Sequence, residues 1–156
     1  MPVTSVTKDP EALTLTLVAD FPVPQRRLWE AWADPRQLER FWGPPSAPAT
    51  FTHHDFRVGG RAEYFLTLPG GEKWSGAWKF TAVSPIDSFA ADDGEANAED
   101  GDMPMSMSFA FEATPTGSRM VSVTRFSSVE AMEETTPGME AGLRAAMPQL
   151  DEVLAG

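Results

Sequence analysis

Leu28-Trp29-Glu30-Ala31-Trp32-Ala33-Asp34-Pro35, running on through Leu38, Phe41, Trp42, Gly43 and Pro44, is the stretch on which the fold turns. Leu28, Ala31 and Trp32 fall at i, i+3 and i+4, with Arg26, Arg27 and Glu30 off that stripe. The spacing predicts an amphipathic helix with a proline, Pro24, near its first turn. Asp34-Pro35 then restarts a second short helix, the Asp34 carboxylate serving as N-cap and Pro35 taking the first helical position. Leu38, Phe41 and Trp42 form its apolar stripe, and Gly43-Pro44-Pro45 stops it.

Outward from these helices the hydrophobic period becomes two. Before them, residues 12–21 place Leu13, Leu15, Leu17, Ala19 and Phe21 on one face, a half-buried strand ended by Pro22 and Pro24. After them, segments 49–57, 61–68, 72–83 and 86–91 read as strands. They are separated by Gly59-Gly60, Pro69-Gly70-Gly71 and Ser84-Pro85, the punctuation of an antiparallel meander. Residues 92–102 carry six acids, two glycines and no base, and read as a solvated hairpin loop. Met103, Met105, Met107, Phe109 and Phe111 then share a strand face, Thr114 to Gly117 turns, and 119–127 returns. Met139, Leu143, Met147, Leu150 and Leu154 repeat at helical spacing, with Pro148 inside the pattern as a kink. A sheet with one apolar face and a helix with one apolar stripe must cover each other. The reading is a single α+β domain over residues 1–156. It has a curved antiparallel sheet of about six or seven strands, two short helices after the first strand, and a long C-terminal helix.

Composition removes several function classes. The 156 residues carry a formal charge of −11, which argues against nucleic acid and anionic membranes, both polyanions. There is no cysteine, so disulfide frameworks, thiolate catalysis and Cys-type metal sites are out. No apolar run approaches the ~18 residues of a membrane span, and no signal-peptide pattern opens the chain, so a cytoplasmic location is expected. No G-x-S-x-G, phosphate-binding glycine loop or nucleophile–base pair is present.

Three stretches resemble one family. The opening segment resembles a V-W-x-A-W-T-D-P-x-x-L-x-x-W-W-G-P signature, departing at Phe41, where tryptophan is frequent. Asp55-Phe56-Arg57-Val58-Gly59-Gly60-Arg61-Ala62-Glu63-Tyr64 is similar to D-x-R-x-G-G-x-x-x-[FY]. Gly138-Met139-Glu140-Ala141-Gly142-Leu143 with Leu150-Asp151-Glu152-Val153-Leu154 resembles a G-M-x-x-G ending, departing at Leu143 and Pro148. Together they resemble the START-like (helix-grip, SRPBCC) superfamily, in the branch related to the C-terminal domain of the Hsp90 ATPase activator. The resemblance implies a sheet gripping the last helix around a cavity for lipids, polyketides or other apolar molecules. The eukaryotic activator also uses an N-terminal domain, for which 156 residues are expected to leave no room.

Candidate ligand-binding residues follow from face parity and this resemblance: Trp32, His53, Tyr64, Leu66, Trp74, Trp78, Met107, Phe109, Arg125, Met139 and Leu143. Gly76, Gly138 and Gly142 remove side-chain volume that could leave space between helix and sheet. One of His53 and His54 must face inward on a regular strand. His53 and Asp55 share a face, but no recognised metal-ligand spacing is present, so no metal and no cofactor is expected. Arg57 pairs with Asp34 or Asp55 or anchors an anion, and an inward Arg125 needs Glu112, Glu63 or a ligand carboxylate. The expected partner is a small hydrophobic molecule. A chaperone or a second copy of the chain stays open as an alternative, as does a small cyclase, dehydratase or hydrolase using His53 or Asp55 in the same cavity.

Overall fold

Leu15, Leu17, Ala19 and Phe21 lie on one buried face of strand β2 (Thr14–Phe21), as their alternation requires. The computed structural model describes residues 3–95 and 105–155. β1 (Val3–Asp9) pairs with β2, and α1 (Gln25–Ala33) and α2 (Pro35–Leu38) carry the chain across to β3 (Ala49–His54). The meander returns through β4 (Arg61–Thr67), β5 (Lys73–Ser84), β6 (Ser88–Glu95), β7 (Met105–Thr114) and β8 (Gly117–Phe126), and α3 (Val129–Ala155) follows. The spatial order is β1-β2-β8-β7-β6-β5-β4-β3, antiparallel throughout. The last strand of the meander thus closes back against β2, and α3 covers the apolar face of the sheet.

The sheet has eight strands rather than six or seven. The additional strand, β1, hides from pattern reading because Val3 and Val6 are its only apolar residues, three positions apart across a register shift. It is an edge strand, mostly exposed, so period-two burial never shapes its sequence. Residues 92–95 extend β6, where a loop was expected, because they pair with β5. The remainder of the expected acidic loop, 96–102, lies outside the described residues. The corner before β6 is longer than expected, with Ile86 in the turn at φ 74°. A branched side chain is strained there. Gln25 of α1 holds this corner, its Nε2 donating to the carbonyls of Ile86 (3.1 Å) and Phe111 (2.8 Å).

α3 begins before the region of strongest apolar repeat and contains both Pro137 and Pro148. Both prolines are exposed, so each lost N–H sits on the solvent side. The inward stripe, Met132, Leu143, Met147, Leu150 and Leu154, stays buried. Under it, α1 buries Leu28, Trp29, Ala31 and Trp32 in an aromatic network. Trp32 lies 4.5 Å from Phe109 and 5.0 Å from Phe41, centroid to centroid.

α2 also closes one edge of the sheet. Asp34 caps it as the sequence implies, Arg36 N donating to Oδ1 at 2.9 Å. Glu39, just past its end, accepts from the Phe51 N–H at 2.9 Å, and Arg36 Nη2 donates to the Phe51 carbonyl at 2.7 Å. These two side chains take the backbone groups of β3 that a ninth strand would use.

Candidate functional site

Between α3 and the inner face of β4, β5, β7 and β8 lies a cavity of about 460 Å3. Tyr64 and Leu66 enter from β4, Trp74 from β5, Met105, Met107 and Phe109 from β7, and Ser122 and Thr124 from β8. The segment after α2 adds Trp42 and Pro44. From α3 come Thr135, Gly138, Met139, Gly142, Leu143 and Ala146, the face that repeats at three and four residues. Trp74, 43 % exposed, stands at the rim. The walls are aromatic, thioether and aliphatic, a surface suited to an apolar guest.

The helical wall is open because two of its residues lack side chains. A β-carbon placed on Gly138 or Gly142 would meet no atom within 4 Å. Helix-interior glycine costs about 1 kcal/mol relative to alanine. Two of them on the cavity face of one helix therefore trade stability for space. Gly76 acts differently: a β-carbon there would collide with the Tyr64 ring, so its absence lets Tyr64 lie flat across β5.

β8 carries a signal that pattern reading passed over. Its buried face reads Ser118, Met120, Ser122, Thr124 and Phe126, while Val121 and Val123 face outward and are only half-buried. Ser118 Oγ donates to the Val23 carbonyl at 2.8 Å. Ser122 and Thr124, 1 % and 4 % exposed, make no side-chain hydrogen bond to another described residue. They sit between Leu15 and Leu17 of β2 and Met107 and Phe109 of β7, facing the cavity.

Of the residues singled out from sequence, Tyr64, Leu66, Trp74, Met107, Phe109, Met139 and Leu143 line the cavity. Trp32 and Trp78 do not; they are fully buried behind it, Trp78 in edge contact with Trp42 at 4.7 Å. Their indole N–H groups find no acceptor among the described residues. Arg125 points the other way: it is exposed on the outer face of β8, opposite Thr14 and Ser106, and needs no buried partner. His53 is also outside, since a register shift between Phe51 and His53 turns it out of the core. With Asp55, Gly59, Gly60, Arg61 and Glu63 it borders a shallow polar groove on the far side of the sheet. An acid–base role for His53 or Asp55 inside the cavity therefore has no geometric basis. No group of three or more metal-ligating side chains occurs among the described residues. Trp42, Pro44, Ser122, Thr124, Thr135 and Ala146 are lining residues that sequence reasoning missed.

Arg57 pairs with Asp55 at 2.9 Å, one of the two alternatives left open, and the Arg57 guanidinium holds the Asp55 carboxyl below its ordinary range. Gly59, at φ 83°, turns the loop between β3 and β4. His54 is the inward histidine of the pair, packed against Phe51, Phe56 and Phe80. Burial pushes its pKa below the usual imidazole value, opposed by the nearby carbonyls of Trp32 and Ala33 and by Asp34. Neither ring nitrogen makes a direct hydrogen bond of good geometry.

A family model described as "Activator of Hsp90 ATPase homolog 1-like protein" matches residues 22–155. The chain belongs to that family. Protein Ms6760 from Mycobacterium smegmatis, known from a crystal structure, is similar at 43% identity and a TM-score of 0.90, with 99% of this chain and 98% of that one covered. A solution structure from Arthrobacter aurescens shares 40% identity at a TM-score of 0.88, covering 98% of this chain and 92% of that one. An AHSA1-like protein from Aeromonas hydrophila, 19% identical with a TM-score of 0.71 over 91% of this chain and 92% of that one, shares the fold. No curated protein matches the chain. The START-like placement suggested by the three motifs thus stands, and no helix among the described residues is long and apolar enough to cross a membrane.

Proposed function

We propose that this protein binds a small, largely apolar molecule between the sheet and α3. The observation that carries the reading is the cavity itself. Its volume of about 460 Å3 lies within the range of small-molecule sites, roughly 300–1,000 Å3, and two helical glycines open onto it. A core built only for stability is packed to crystal-like density, with few voids larger than a water molecule. Native mass spectrometry of the freshly purified protein is the test, followed by a thermal-shift screen of lipids and polyketide-like aromatics. A retained or stabilising apolar compound supports the reading. Failure of every compound to bind or stabilise counts against it.

The family description favours a second reading, action on an Hsp90-class chaperone. Its measure is the ATPase rate of a purified chaperone with and without this protein. An unchanged rate speaks against it.

A further inference from the structure

We propose that the cavity's occupant is an uncharged, ring-bearing molecule whose carbonyl or hydroxyl oxygen is held by Ser122 or Thr124, and that the carboxylate counterpart is rejected. This rests on the binding role above and adds the chemical class of the ligand.

The polar content of the wall carries the argument. Ser122 and Thr124 are two residues apart on one face of β8, so their side chains stand about 7 Å from one another. Both are buried, both line the cavity, and neither is engaged by another described side chain or backbone group. A hydroxyl that faces an open cavity and makes no side-chain hydrogen bond is available to a partner that arrives from outside. A hydroxyl both donates and accepts, so the pair suits a ketone, an ester, an ether or an alcohol. Along the same walls Trp42, Tyr64, Trp74 and Phe109 present ring surfaces, which favour flat guests by stacked or edge contact.

Charge then separates neutral from anionic guests. The chain has 12 basic side chains and none lines the cavity. Arg27 is held by Gln37 and the Val153 carbonyl, Arg36 by Phe51 and Glu39, and Arg119 by Asp20. Lys73, beside the rim, lies over the Phe65 ring. Residues 96–104, outside the described structure, include no lysine or arginine in their sequence. A carboxylate entering this cavity would lose its water and gain no counter-charge.

The test uses three probes of nearly equal shape: 2-acetylnaphthalene, 2-naphthoate and 2-isopropylnaphthalene. Calorimetric titration of the full chain at pH 7.5 is expected to show the ketone binding at least tenfold more tightly than the carboxylate. The Ser122→Ala/Thr124→Val double variant is expected to weaken the ketone several-fold and leave the hydrocarbon unchanged. A carboxylate that binds as well as the ketone overturns the inference while leaving the binding role intact. Equal losses for ketone and hydrocarbon, or none for either, overturn the hydroxyl assignment. If none of the three binds, both the inference and the binding role fall. Should the double variant not fold, the comparison of ketone with carboxylate on the unaltered protein still decides.

Discussion

Filling the cavity from the helix side separates a binding site from an imperfectly packed core. Gly142 lies at the centre of the α3 face that borders the space, and a β-carbon there meets nothing within 4 Å. Gly142→Leu therefore adds four carbons, the first of them into open space. Removing a helix-interior glycine gains about 1 kcal/mol. Partial burial of the new side chain against Met107 and Phe109 adds about 1–2 kcal/mol, taken as a fraction of full leucine burial. The expected sum of about 2–3 kcal/mol raises the melting temperature of a domain this size by roughly 4–12 °C. At about 30 Å3 per carbon group, the volume a water occupies, the side chain displaces about 120 Å3. That is roughly a quarter of the 460 Å3 available. Thermal unfolding followed by circular dichroism reads the first effect, and displacement of a fluorescent naphthalene probe reads the second. The expected outcome is a more stable protein that binds the probe at least tenfold more weakly. A variant that is destabilised would show that the space is not there. One that is stabilised but binds normally would show that the space is not the site.

Other consequences of the structure are open to measurement. Because His54 is neutral in the folded protein below the pH at which an unfolded imidazole charges, its contribution is full above pH 6.5 and is lost as pH falls from there through its depressed value. Urea denaturation between pH 7.5 and 5 is expected to show falling stability, and His54→Phe is expected to flatten that slope; an unchanged slope refutes the assignment. Glu39→Ala with Arg36→Ala frees the backbone edge at Phe51, so light scattering is expected to detect edge-paired oligomers; a strictly monomeric double variant contradicts the edge-blocking role. Gln25→Ala leaves the Ile86 and Phe111 carbonyls without their donor and is expected to cost about 1–3 kcal/mol in denaturant unfolding; a loss under 0.5 kcal/mol refutes the anchoring role.

Much of the fold was legible in the chain because burial imposes a period on it. β2, β4 and β7 alternate cleanly, α1 carries a stripe, and Asp34-Pro35 announces α2. β1 was not legible, since an exposed edge strand has no face to bury. The site was legible where an apolar residue met a single parity, as at Tyr64, Trp74 and Met107. His53 was misplaced by a register shift, which no alternation rule anticipates. Arg125 was misread because β8 inverts the usual polarity, with serine and threonine inward and valine outward. That inversion conceals the cavity's polar edge, since Ser122 and Thr124 look like solvent positions until the sheet's inner face is known.

Methionine methyl groups give the most direct test of a ligand in this cavity. Met105, Met107 and Met139 line it, whereas Met120, Met132 and Met147 are buried elsewhere in the core. Protein labelled at methionine methyl carbons is titrated with 2-acetylnaphthalene and followed by two-dimensional NMR. Saturable shifts concentrated at Met105, Met107 and Met139 are the expected result. Shifts concentrated at Met120, Met132 or Met147, or none at all, would contradict the account.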